Sequence, residues 1–269
     1  MKRTLALAAT LAALIPFSAS AHKQWLQPSA TVIAGNAPWI SVNAAVSNNL
    51  FYFDHVAMRT DNIVVTAPDG SNVAIANAHT GKLRSVFDVE LNQPGTWRVA
   101  SVNAGLMANW TEDGKPKRWR GNAETFAKEV DTTKQGLRVS ETAGRVETFI
   151  TNGNPNDTAL ALSGKGIELQ AVGGHFNDLF AGETSTFKVS IDGAPAAGLE
   201  FEIIRGDTRY RNAQEEIKAT SDAAGLITVT WPTAGMYWLE TTSSDTKTSI
   251  PQAAQRRLSY VATLEVLPQ

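Results

Sequence analysis

Apolar residues in this chain recur at every second position and almost never at helical spacing. Trp39 to Val46, Ile63 to Ala67, Leu83 to Leu91, Phe187 to Ile191 and Leu226 to Trp231 all alternate or run as short β-branched stretches. A period of two sends successive side chains to opposite faces of a sheet. Between the stretches stand Pro68-Asp69-Gly70, Gln93-Pro94-Gly95, Asp192-Gly193-Ala194-Pro195 and Thr233-Ala234-Gly235, residue types that tight turns demand. Short strands punctuated in this way predict an all-β fold of antiparallel, Ig-like sandwiches. Glu124 to Val130 is the one stretch that reads as helix.

A length of 269 residues suits two such domains. Asn152-Gly153-Asn154-Pro155-Asn156-Asp157 is polar and turn-forming, so the expected boundary follows Arg145 to Thr151, the last strand of the first unit. This gives an N-terminal sandwich over 22–155 and a C-terminal Ig-like sandwich over 160–269. The cadence Pro94-Gly95-Thr96-Trp97 returns as Ala234-Gly235-Met236-Tyr237-Trp238, as two similar units would show. Residues 103–134 break the rhythm. There Asp113-Gly114-Lys115-Pro116 reads as the tip of a charged hairpin carrying Trp110, Lys117, Arg118, Trp119 and Arg120, a surface suited to a partner protein, an anionic ligand or a glycan.

The first residues read as an address. Met1-Lys2-Arg3 is basic, Leu5 to Phe17 is Ala/Leu-rich and too short to anchor, and Ala19 and Ala21 are small. That pattern marks an export signal at 1–21, cut after Ala21. No later stretch has the apolar length of a membrane span, and no Cys follows the signal to carry a lipid. Cleavage makes His22 the first residue. Its α-amine and imidazole can then close one compact chelate ring on a metal ion.

Composition narrows the chemistry further. With 24 Lys+Arg against 26 Asp+Glu, no basic excess exists to neutralise nucleic-acid phosphates. The absence of Cys excludes thiolate zinc sites, iron–sulfur clusters, disulfides and cysteine nucleophiles together. Neither a Gly-x-Ser-x-Gly elbow, a phosphate-binding glycine loop nor a His-Glu-x-x-His motif is present. Four histidines remain. His55 ends the aromatic run Phe51-Tyr52-Phe53-Asp54-His55, His175 follows Gly173-Gly174, and His79 reads as an idle residue at a hairpin tip. His22, His55 and His175, distant in sequence, are expected to meet at one end of a sandwich, with Asp54 or Asp178 as an oxygen ligand or orienting group. Nickel, copper, cobalt, zinc and iron are the candidate divalent metals.

The start His22-Lys23-Gln24-Trp25-Leu26-Gln27-Pro28 resembles the Ala-His-x-x-Trp-Leu-x-Pro opening of the bacterial DUF4198 family. So do Asn48 to His55, Gly114 to Asn122 and Gln255-Arg256-Arg257-Leu258-Ser259-Tyr260. The resemblance covers essentially the whole chain after the signal. It implies a periplasmic protein of β-sandwich domains, with relatives linked to nickel or cobalt uptake components and to TonB-dependent metal acquisition. His22 falls on the family's start position. Membrane-bound nickel-uptake relatives carry a transmembrane helix that this sequence lacks, which argues against direct transport.

The expectation is therefore a non-enzymatic periplasmic binder of a divalent transition metal, without a membrane span of its own, serving a membrane metal-uptake or TonB-linked component. Two rivals use the same residues. One is a copper oxidase of the polysaccharide monooxygenase kind, built on a histidine brace at His22. The other is a metal-independent envelope interaction module using the Trp110–Trp119 hairpin.

Overall fold

The computed structural model describes residues 22–269; the signal assigned to 1–21 lies outside the described residues. The chain opens with β1 (Lys23–Pro28), β2 (Val32–Ile33), β3 (Trp39–Ser47), β4 (Val56–Ala57), β5 (Ile63–Thr66), β6 (Asn72–Val73), β7 (Ala76–Thr80) and β8 (Ser85–Glu90). Then come two long strands, β9 (Gly95–Glu112) and β11 (Arg138–Asn152), separated by β10 (Lys115–Gly121) and a short helix α1 (Ala123–Glu129). The second half holds β12 (Ile167–Val172), β13 (Thr184–Ile191), β14 (Ala194–Pro195), β15 (Glu200–Arg205) and β16 (Ile217–Thr220). It closes with β17 (Leu226–Thr230), β18 (Gly235–Asp245) and β19 (Ala253–Val266).

Alternation explains most of these strands. In β8, Ser85, Phe87 and Val89 are buried while Asp88 and Glu90 face outward, and in β17 Ile227 and Val229 are buried between exposed threonines. Turn chemistry sets the hairpins. At the β9–β10 tip Asp113 and Gly114 both have positive φ, 50° and 70°, as a two-residue hairpin turn that follows the sheet's twist requires. Asn122 caps α1 with its side chain on the Thr125 amide, and Thr125 returns the bond to the Asn122 backbone.

The strands form three sheets. Five strands, ordered β1-β3-β8-β7 with β4 on β3, make one outer layer, and β12-β13-β14 with β17 make another. Between them runs a ten-stranded sheet, β16-β15-β18-β19-β11-β9-β5-β6, with β10 on β9 and β2 on β11. Its inner strands are buried on both faces. On β11, Val146 and Ile150 enter a core with Trp25, Phe87, Trp97 and Trp238, while Phe149 enters a second core with Phe187, Trp231, Tyr237 and Tyr260. A third, small cluster joins Leu106, Ala108 and Val139 to Phe126 of α1.

Three expectations are corrected. Antiparallel pairing does not hold throughout, because β11 runs parallel to β19, Val146 opposite Val261, and parallel to β2. Nor does the rhythm break at Asn103, since β9 continues to Glu112. The alternation signal fades there because Asn103, Ala104 and Gly105 bring no large apolar side chain. His79 lies inside β7 opposite Val86 rather than at a tip. The ten-stranded sheet runs across the expected boundary near 152–157, because β11 pairs with β19.

Candidate metal site and adjoining trough

His22 directly precedes β1, and His55 directly precedes β4. Both strands pair with β3, through Gln24 opposite Val46 on one edge and Val56 opposite Val46 on the other. Two strand spacings, about 10 Å, thus separate the backbones, a gap that two imidazole side chains can close beyond the last residue of β3. They do so: the rings of His22 and His55 are stacked, with centroids 3.8 Å apart and an interplanar angle of 11°. Both residues are exposed.

The loop that delivers His55 is fastened from several sides. Asp54 Oδ1 accepts from the Asn48 amide at 2.7 Å, and Oδ2 accepts from the Asn49 amide at 3.0 Å and from Asn49 Nδ2 at 2.6 Å. Desolvation alone would raise the Asp54 pKa. The Asn48 and Asn49 hydrogen bonds, with Arg209 nearby, outweigh it and hold the carboxyl below its usual value. Trp25 Nε1 donates to Ser47 Oγ at 2.9 Å, and Ser47 Oγ donates to the Asn49 carbonyl at 2.8 Å. Phe51 sits at φ 60°, a strained conformation for an aromatic residue, held by edge-on packing against Trp25 at 5.4 Å. Phe53 also packs on Trp25, and Arg209 lies 3.9 Å over the Tyr52 ring. The aromatic run Phe51-Tyr52-Phe53 is thus a clamp that aims the loop. Asp54 turns both its oxygens to that loop's own donors.

Lys23, between His22 and Gln24, is buried and lies 5.4 Å over the Trp238 ring. Nearby, desolvation and the neighbouring Glu202 push the Glu240 carboxyl up, against the pull of Lys23.

His175 lies elsewhere. Its neighbour Asn177 donates to the Phe149 carbonyl and accepts from Thr151 Oγ1, and the Thr151 amide donates to the Thr31 carbonyl. Thr31 is nine residues beyond His22 along mostly extended chain, on the order of 25 Å away. The structure therefore brings His22 and His55 together and leaves His175 and Asp178 at the far end of β1. There His175 Nδ1 is buried without a hydrogen-bond partner, 3.4 Å from Asp157 Oδ1. Among the described residues no group of three or more His, Asp or Glu side chains is placed to hold a metal ion. The His22–His55 pair gains a third nitrogen only if His22 becomes a chain terminus.

The β9–β10 hairpin is built differently from the exposed platform expected of it. Trp119 opposes Ala108 and Lys117 opposes Trp110. This face turns toward α1, where Trp119 meets Phe126 edge-on at 5.5 Å and donates to Glu129 at 2.8 Å. Trp110 packs against the same small cluster. Arg118 and Arg120 occupy the other face.

That other face borders an open trough of about 1360 Å³. Gln24 and Ala57 line it, each two residues after one of the paired histidines, so the pair stands at its margin. Arg257, Ser259, Gly144 and Asn103 belong to it too. None of these was singled out as a site residue from sequence. The available signal was a run of small and polar residues in the middle of long strands.

A family model described as a domain of unknown function, DUF4198, matches residues 19–245. No curated protein matches the chain. Among solved structures, the D0–D1 domain of intimin is similar at 14% identity and a TM-score of 0.22, over 90% of this chain and 97% of that one. A DUF4785 family protein from Legionella pneumophila is similar at 7% identity and a TM-score of 0.24, over 80% and 50%. The human OSCAR ligand-binding domain follows at 11% and 0.21, over 92% and 100%. At these scores the chains do not superpose as wholes. With most of its length matched by one family model, this chain belongs to the DUF4198 family.

Proposed function

We propose that this chain is a periplasmic protein that binds a divalent transition metal through His22 and His55 and delivers it to a membrane uptake system. In this reading 1–21 is an export signal cut after Ala21, and 22–155 and 160–269 are two sandwich units that share the ten-stranded sheet as a common wall. Cleavage frees the His22 amine. Amine and Nδ1 then close a chelate ring, and the His55 imidazole supplies a third nitrogen.

The observation that carries the reading is the stacked pair, 3.8 Å between ring centroids, on a loop held by Asp54 and Trp25. Parallel rings do not aim both lone pairs at one point. Binding therefore requires rotation about the side-chain torsions of two exposed residues. An all-nitrogen set without sulfur suits copper, nickel, zinc or cobalt, with Cu²⁺ tightest on affinity. It also leaves coordination positions open, through which a partner could take the metal.

Calorimetry with Cu²⁺ and Ni²⁺ on protein exported with a native His22 terminus tests this. One extra N-terminal residue, or His55→Ala, is expected to weaken binding by at least about tenfold, the lower range for losing even an outer-sphere partner. His175→Ala is expected to leave affinity unchanged. Equal affinity with and without the extra residue would overturn the proposal. A second reading, a copper oxidase acting on a polysaccharide, draws on the same nitrogens and on the open trough beside them. Copper-dependent peroxide formation with a reductant would favour it over metal carriage.

A further inference from the structure

We propose that the trough beside the histidines is a second binding site, for a ligand bearing two or more carboxylates held between Arg120 and Arg257. The inference does not rest on the metal reading. It begins with the four long strands β9, β11, β18 and β19, which overrun the five-stranded layer.

Their cross-strand register shows what the uncovered face carries. Glu240, Val261, Val146 and Ser101 form one row across the sheet, and its valines belong to the apolar core. Two residues along each strand, the next row is Thr242, Ser259, Gly144 and Asn103, and the row after it is Ser244, Arg257, Thr142 and Gly105. Apolar contact thus gives way to hydroxyl, amide and glycine within two residues, and these two rows are the trough floor. The floor is low because its glycines have no room for a side chain: a Cβ on Gly144 would lie 2.9 Å from Ser259 Oγ, and one on Gly105 2.8 Å from the Gly121 carbonyl oxygen. One wall is the rim of the five-stranded layer, with Gln24 and Met58. The other is Arg120, Gly121 and Asn122.

Charge decides the ligand class. No Asp or Glu lines the trough, while Arg59, Arg120, Arg145 and Arg257 do. Arg59 is paired with Asp61 at the rim. Arg145 turns to the other face of the sheet, 3.5 Å from both Glu147 and Glu168. Among the described residues Arg120 and Arg257 make no ion pair. With the Gln255 amide assigned in the orientation that satisfies both of its ends, its oxygen accepts from Arg257 Nε and Nη2 at 2.9 and 3.1 Å. That contact fixes the plane of the guanidinium and leaves Nη1 outside it. Arg257 opposes Thr142, Thr142 opposes Gly105, and Arg120 opposes Met107 two residues further along β9. Three strand spacings and that offset set the two Cα atoms about 16 Å apart. Two side chains reaching inward leave a gap of a few ångströms. Two carboxylates on one short polar skeleton fill it, each matching a guanidinium fork.

Small polycarboxylic acids and acidic oligosaccharides both carry that chemistry. Citrate and trigalacturonate are the probes, titrated calorimetrically into metal-free protein so that an acid held through a metal is not counted. At least one probe is expected to bind, more weakly at higher salt. Binding by one alone identifies the source. R120Q and R257Q are each expected to weaken it roughly tenfold, and R257K less than R257Q. Both arginines are exposed, and an unchanged melting temperature confirms that each variant folds. Binding by neither probe, undiminished binding to the double R120Q/R257Q variant, or displacement by pyrophosphate at equal concentration would overturn the proposal.

Discussion

At the scale of single residues, Asp54 organises the loop that carries His55. Its carboxylate gathers the Asn48 and Asn49 amides and the Asn49 side chain, and so brings His55 back toward β1. Asn at this position keeps one acceptor oxygen and loses the charge. Asp54→Asn is expected to lower stability by about 1 kcal/mol at neutral pH, the scale of one such hydrogen bond. The pH dependence follows from the lowered native pKa. The stabilisation is present above the ordinary value of 3.8 and is lost as pH falls through the lower native value. Urea midpoints of the two proteins should therefore converge on acidification. A gap that widens in acid would contradict this role.

At the scale of elements, the β9–β10 hairpin and α1 form an arm with a core of its own. Phe126, Leu106, Ala108, Val130, Val139 and Ala253 supply it, with Trp110 and Trp119 packed against them. Because this cluster is separate from the two main cores, Phe126→Ala is expected to loosen the arm before the rest. Tryptophan emission should shift to the red and amide exchange should rise over 106–130. Amides of β13 and β19 should stay protected. Uniform loss of protection across the chain would show that the arm is not an independent unit. The sequence already displayed the hairpin tip, its cations and the helix. Which face held the tryptophans was hidden, because that depends on where α1 folds back.

At the scale of the whole molecule, the ten-stranded sheet carries a polar cluster on the face that meets the second core. Tyr260 on β19 donates to Glu147 on β11 at 2.6 Å, and Arg145 stands between Glu147 and Glu168. Burial raises the Glu147 pKa, opposed by Arg145, Arg98 and the Tyr260 bond. Native protein therefore holds a proton that the unfolded chain releases first. The cost of Glu147 is absent below the ordinary value of 4.5 and grows as pH rises through the raised native one. Glu147→Gln is expected to flatten that decline in denaturant-measured stability. Tyr260→Phe, which strips a donor from a buried carboxylate, should cost about 1–3 kcal/mol at neutral pH and less in acid. A Tyr260→Phe deficit that is equal at both pH values would contradict the assignment.

Alternation and turn residues alone determined that this chain is all-β, where most strands lie, and that His55 ends an aromatic loop, because a period of two and a positive-φ turn are local properties. Tertiary structure decided the rest. Whether β11 would pair with β19, 115 positions away at Thr148 and Thr263, depends on which buried faces must be covered, and no local pattern records that. Pairing of β1 and β4 with β3 drew His22 and His55 together, while the bonds of Asn177 to Phe149 and Thr151 on β11 held His175 at the opposite end. Scarce histidines could be found by reading the chain. Only the pairing of strands set their company.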